Sequence, residues 1–236
     1  QPMYTGAHAT AHPDRPCFVM ATSGETISYR EYEQRCNRLA HLLRANGLAP
    51  GDHYSIFMRN NGRYLETCGA GERSGLFYTC INSHLTAEEL AYIVDNSESK
   101  ILITSSSKAA IAFEALDSCP NVTLCLVVDL DRRPASAALP DPRIAVQDYV
   151  HATEQHPGTP IQDERLGTPM LYSSGTTGRP KGIIRVLPDN QPGDPMPLFS
   201  FLSALWRYRE DMIYLSSAPL YHSAPQAAVG LSIPFC

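Results

Sequence analysis

The chain has 236 residues, 43% of them apolar, and a formal net charge of −5. That apolar share supports a substantial core. The acidic balance argues against nucleic-acid binding, which favours basic chains, and against a polybasic membrane-surface segment. The longest apolar runs, such as Leu124–Val128, fall far short of the ~20 residues a membrane helix needs. His8, His12, Asp14 and Arg15 interrupt the N-terminus where a secretory leader would be continuously apolar.

Tyr32, Cys36, Leu39, Ala40 and Leu43 recur at helical spacing and predict a helix over 29–46. Ser28 and Glu31 form a capping-box pattern at its start, and Gly47 stands where a helix stops. A strand at 54–58, a helix over Gly62–Arg73 and a buried strand at 76–81 follow. Thr86 and Glu89 form a second capping box, opening a helix that runs to Asn96. A strand at 100–104, a helix at 108–116 and a strand at 122–128 continue the alternation. The expected fold class is therefore α/β, with a mostly parallel sheet covered by helices on both faces. Residues 129–142 and 151–169 read as surface connectors, and 223–233 as the start of an apolar helix. No internal repeat interrupts this order.

The seven cysteines stand at 17, 36, 68, 80, 119, 125 and 236, with no C-x-x-C pair. Four of them, Cys36, Cys68, Cys80 and Cys125, sit in apolar stretches. The reading is buried, reduced thiols in a cytoplasmic protein; a disulfide framework is the disfavoured alternative. His8 and His12 lie four apart in a terminus expected to fray, and are read as inert rather than as metal ligands. Nothing has the ligand pattern of a zinc site.

The informative segment is 170–184. An apolar strand enters a run of small and hydroxylated residues, Pro180 and Lys181 follow, and a second apolar strand leaves. Gly175 and Gly178 permit a backbone nest whose N–H groups converge on an anion. Ser173, Ser174, Thr176 and Thr177 add hydroxyl donors, and Lys181 adds positive charge. A plain hairpin turn needs only one or two special residues and has no use for four hydroxyls and a lysine. A Walker A loop needs Gly-Lys-Ser/Thr running into a helix; here Arg179-Pro180 precedes Lys181, and strand-like residues follow.

Tyr172-Ser-Ser-Gly-Thr-Thr-Gly-Arg-Pro-Lys-Gly182 resembles the phosphate-binding signature of the acyl-adenylate-forming superfamily, which groups acyl-CoA synthetases, luciferases and peptide-synthetase adenylation domains. The consensus is Tyr-Thr-Ser-Gly-Thr-Thr-Gly-x-Pro-Lys-Gly, and Ser173 for Thr keeps the hydroxyl. Thr26-Ile-Ser-Tyr-Arg-Glu-Tyr32, Leu42 with Gly47-Leu-Ala-Pro-Gly-Asp52, and Ile81-Asn-Ser-His-Leu-Thr-Ala-Glu-Glu-Leu90 are similar to the family's N-terminal landmarks, in the family's order. Ala218-Pro-Leu-Tyr-His-Ser-Ala-Pro225 resembles a second family motif, whose residues line the pocket beside the reacting carboxylate; His222 is its candidate catalytic residue. A capped helix start with an incidental histidine is the plain alternative.

The resemblance implies ATP-dependent activation of a carboxylic acid, in the acyl-CoA synthetase branch a fatty acid, to acyl-AMP and then acyl-CoA. ATP, Mg²⁺ and coenzyme A are the implied cofactors and substrates. Ser173, Ser174, Gly175, Thr176, Thr177, Gly178 and Lys181 are the implied phosphate holders, and Ser173 also a candidate Mg²⁺ contact. An adenylation domain loading a carrier protein and a non-catalytic remnant are the alternatives. After Ile184 this chain departs from the family: 185–197 carries four prolines and reads as a stiff connector. It also stops before the family's adenine-, ribose- and metal-binding motifs and its C-terminal domain. Residues 1–236 are thus expected to be part of the N-terminal domain, to be catalytically silent alone and to self-associate.

Overall fold

The computed structural model describes residues 4–173, 179–209 and 212–235. Helix α1 (Thr5–Ala11) precedes an antiparallel pair, β1 (Pro16–Val19) and β2 (Thr26–Ser28). Then come α2 (Tyr29–Ala45), β3 (His53–Phe57), α3 (Gly62–Arg73), β4 (Phe77–Cys80), α4 (Ala87–Asn96), β5 (Ile101–Ser105), α5 (Ala109–Leu116) and β6 (Leu124–Val128). The order closes with β7 (Ala145–Asp148), α6 (Tyr149–Glu154), β8 (Thr168–Ser173), β9 (Lys181–Ile183), α7 (Pro197–Leu205) and α8 (Ser223–Phe235). Both expected capping boxes form: Ser28 with Glu31 opens α2, and Thr86 with Glu89 opens α4. Each satisfies two N–H groups that the first helical turn leaves without partners.

Seven strands form one sheet in the order β7-β6-β5-β3-β4-β8-β9, parallel throughout except for the β8–β9 pair. The chain leaves β3 for β4 on one side, then returns past β3 to β5 on the other. Right-handed crossovers in opposite directions must lie on opposite faces. The burial follows that rule. Ile101, Ile103, Leu124 and Leu126 share a core with residues of α2, α3 and α6. The alternate residues Leu102, Cys125 and Val127 share a second core with α4 and α5. The period-two alternation, with a core on each face, explains why β5 and β6 are buried at every position. Each leucine or isoleucine so buried contributes about 1.5–3 kcal/mol.

The expected strands and helices are in place, with ends shifted by one or two residues. The connector expected at 151–169 is corrected: α6 occupies its first residues and β8 begins within it. Asp148 caps α6 by accepting a hydrogen bond from the His151 N–H at 2.9 Å. The N-terminus is also corrected, because it is pinned rather than frayed. Arg73, 2% exposed, donates through Nη1 to Glu33 and to Asn37, each at 2.6 Å, and through Nη2 to Glu33 at 3.1 Å. Thr5 Oγ1 donates to the same Glu33 carboxylate at 2.9 Å, and the Tyr4 ring lies 5.6 Å from the Arg73 guanidinium carbon. His8 Nε2 is 2.7 Å from the Pro234 carbonyl, and its ring stacks on Tyr29, so it ties α1 to the end of α8. The thiols of Cys36, Cys68, Cys80, Cys119 and Cys125 are buried and free. No helix among the described residues is long and apolar enough to cross a membrane.

Candidate functional site

In an open α/β sheet, ligands gather at the carboxyl ends of the strands, near the point where strand order reverses. Here the reversal lies at β3 and β5, and β8 runs parallel to β4 beside them. The expected loop therefore leaves the sheet at the productive edge. Ser173 is the last residue of β8 and Lys181 the first of β9; they face one another as the final register pair. Both are exposed. Among the described residues Lys181 makes no ion pair, so its ammonium is open to an anion. Ser174, Gly175, Thr176, Thr177 and Gly178 lie outside the described residues.

The base of this hairpin is fixed by α4. Tyr172 donates from its hydroxyl to Asn96 Oδ1 at 2.8 Å, and Tyr92 donates to the Pro180 carbonyl at 3.0 Å. The Arg179 guanidinium lies over the Tyr92 ring, 5.0 Å from its centre. Burial and the neighbouring Tyr92 phenol push Tyr172 up, which keeps it a neutral donor. Gly182 lets the strands pack closely: a Cβ there would come 2.5 Å from Met170 Cε and 3.0 Å from Tyr172 Cζ, so those side chains would have to shift. The loop thus stands on a rigid foot, the condition for preorganised donors.

The second motif meets the same edge through a residue that sequence reasoning missed. Asn60, just beyond β3, donates from Nδ2 to the Ala218 carbonyl at 3.0 Å and accepts the Leu220 N–H at 2.9 Å. That two-point clamp holds residues 218–220 over the end of β3. A lone asparagine after a strand carries no periodic or motif signal, so nothing in the sequence marked it. His222 is exposed, and its ring packs against Tyr221 at 4.5 Å between centres. Its backbone N–H donates to the Pro219 carbonyl at 3.2 Å, and its carbonyl accepts from the Gln226 N–H, so it enters the first turn of α8. Since β3 and β8 flank β4, the two motifs hang from strand ends about 10 Å apart. An apolar cleft of about 610 Å³, walled by Phe18, Leu65, Leu220 and Val229, adjoins the second motif.

The donor set suits a polyphosphate: an open ammonium and a hydroxyl at the mouth of one hairpin. Of the expected Mg²⁺ contact, Ser173, the structure describes one exposed hydroxyl at the end of β8. Among the described residues no group of three or more His, Cys, Asp or Glu side chains forms a metal cage.

The profile of the AMP-binding enzymes matches residues 6–233. The chain belongs to that family. A medium-chain-fatty-acid–CoA ligase of Ectopseudomonas oleovorans is 31% identical over 178 residues, covering 75% of this chain and 32% of the relative. The fatty acid–[acyl-carrier-protein] ligase ScoC of Streptomyces coeruleorubidus is 28% identical, covering 76% of this chain and 31% of its own length. A fatty acyl CoA synthetase from Mycobacterium tuberculosis superposes with a TM-score of 0.72 at 20% identity, over 99% of this chain and 43% of that one. The N-terminal domain of FACL13 from the same organism superposes with a TM-score of 0.71 at 20% identity, over 99% and 55%. The chain spans about a third of the length of these two curated relatives. Its family is thus one of adenylate-forming acyl-CoA and acyl-carrier-protein ligases, and its fold that of their N-terminal domains.

Proposed function

We propose that the complete protein activates a carboxylic acid with ATP, releasing pyrophosphate and forming acyl-AMP, and then passes the acyl group to coenzyme A. Residues 1–236 supply part of its large N-terminal domain. The observation that carries this reading is the Ser173–Lys181 register pair, held by α4 at the carboxyl edge of the sheet. In this reading Ser173, Ser174, Thr176, Thr177 and Lys181 hold the β- and γ-phosphates, with the nest at Gly175 and Gly178. Their charge and N–H groups stabilise the negative charge that builds on the departing pyrophosphate. ATP with its Mg²⁺ supplies the activated α-phosphorus. His222 stands beside the reacting carboxylate and orients it. The apolar cleft beside Leu220 accords with a hydrocarbon acid.

Losing one preorganised donor costs about 2.7–4 kcal/mol of transition-state stabilisation. In the complete enzyme, Thr176→Ala and Lys181→Ala should each slow acyl-adenylate formation about 10²–10³-fold while leaving the denaturation midpoint near that of the parent. Unchanged adenylation in both variants refutes the role. Transfer to a carrier protein is the second reading, favoured by the likeness to an acyl-carrier-protein ligase. Acyl release from the adenylate on adding coenzyme A, against adding a pantetheinylated carrier, separates the two.

A further inference from the structure

Cys68, in α3, and Cys80, the last residue of β4, place their sulfurs 3.9 Å apart. Both are nearly covered, at 7% and 8% exposure. The amide of Gln226 reaches down from the first turns of α8, with Nε2 3.0 Å from Cys80 Sγ and 3.9 Å from Cys68 Sγ. The pair therefore lies directly under the helix that follows His222. We infer that Cys68 and Cys80 form an oxidisable pair that closes to an intramolecular disulfide, a modification site beneath α8.

The geometry suits this chemistry. A disulfide bond is about 2.05 Å long, so the sulfurs must approach by roughly 1.9 Å. Rotation about a cysteine Cα–Cβ bond displaces the sulfur by a distance of that order. Cys80 Sγ, the sulfur nearer the Gln226 amide and the one at the strand end, is the first nucleophile in this scheme. Hydrogen peroxide, the oxidant, is small enough for a nearly covered thiol. The Cys80 sulfur attacks one peroxide oxygen, the O–O bond breaks and water leaves, giving the sulfenic acid. Cys68 sulfur then attacks Cys80 sulfur; the S–O bond breaks and a second water carries away the remaining thiol proton. Contact with Cys80, and then burial, raise the Cys68 thiol well above its ordinary range, so Cys68 rests as a thiol. Cys36 and Cys125, both fully buried, serve as internal controls.

Trypsin cuts after Arg73, between the two cysteines. The purified chain is treated with hydrogen peroxide under native conditions, alkylated, and digested without reduction. The expected product is peptide 64–73 joined to peptide 74–100, lighter than their sum by two hydrogen atoms and separated by dithiothreitol. Cys68→Ser, or Cys68→Ala if that variant fails to fold, should instead leave a Cys80 sulfenic acid that dimedone traps. Recovery of both peptides separately alkylated after peroxide, or joined to other cysteines, overturns the inference. So does Cys80 oxidised in the parent chain without the link.

Discussion

Arg73 is the residue on which the N-terminal third converges. Its guanidinium meets the Glu33 carboxylate through two nitrogens, and both groups are out of water. Breaking a buried pair by removing one partner costs about 3–5 kcal/mol, because the other charge stays buried and unpaired. Arg73→Met should therefore lower the urea midpoint by that equivalent, and Arg73→Met with Glu33→Met should recover much of it. Equal midpoints for the two variants would refute the account. Glu72 beside it behaves differently. Burial raises its carboxyl above the ordinary 4.5, against the hydroxyl of Tyr78, which donates to it at 2.9 Å, and the charge of Arg73. A raised acid keeps its proton in the folded chain after the unfolded chain has lost it. Its contribution to stability is full below pH 4.5 and is lost as pH rises through the folded value. Glu72→Gln should thus gain stability relative to the parent as denaturation is followed from about pH 4 to pH 8; a constant difference would refute the shift. At this scale the sequence was legible where chemistry is dense. Four hydroxyls, two glycines and a lysine predict an anion loop, whose ends Ser173 and Lys181 face one another across β8 and β9 while 174–178 lie outside the described residues. Arg73, Glu72 and Asn60 went unread, because a polar residue in a helix or after a strand looks the same whether it is solvated or buried.

The elements most legible in the sequence were those with two independent signals. Helices α2 and α4 carry both an apolar stripe and a capping box, and their first residues were placed correctly. The strands β3 to β6 are short, mostly apolar stretches alternating with helices. The unread elements are short and lack such agreement: α1, the β1–β2 pair, β7, α6 and α7. Their place is set by tertiary contacts, such as the Asp148 cap on α6 and the Glu33 contact to Thr5. Gly167, just before β8, shows how tightly one junction is made. A Cβ there would collide with the Gly71 carbonyl oxygen and come 2.6 Å from that of Leu76. Both neighbours are backbone, so neither can turn aside. Gly167→Ala should destabilise the chain by about 3 kcal/mol, at the upper end for overpacking. Gly71→Ala meets only the side chains of Tyr54 and Tyr78 and should cost less. Thermal unfolding of the two variants checks the order, and a smaller loss for Gly167→Ala would refute it.

For the whole molecule, the two faces of the sheet are covered, but several apolar side chains described between 186 and 215 are not. Val186 and Ile213 are each 94% exposed, Leu215 76%, Phe201 62% and Leu205 60%. Apolar patches beyond a few hundred Å² favour association. The 236-residue chain should sediment as a concentration-dependent mixture of species, and Ile213→Lys with Leu215→Lys should shift it toward monomer. A single species at all concentrations for the parent would refute this. The sheet order also sets a schedule for synthesis. β4 pairs on one side with β3, which precedes it, and on the other with β8, about 90 residues later in the chain. At ~5–20 residues per second, a ribosome needs about 5–20 s to deliver that partner. Over this interval the edge of Phe77–Cys80 stands open, a mostly apolar strand with unpaired N–H and C=O groups. The β8–β9 foot of the 173–181 loop is therefore among the last parts of the sheet to close. Crowded translation, rather than the finished fold, is the stage at which this chain is most exposed to mispairing.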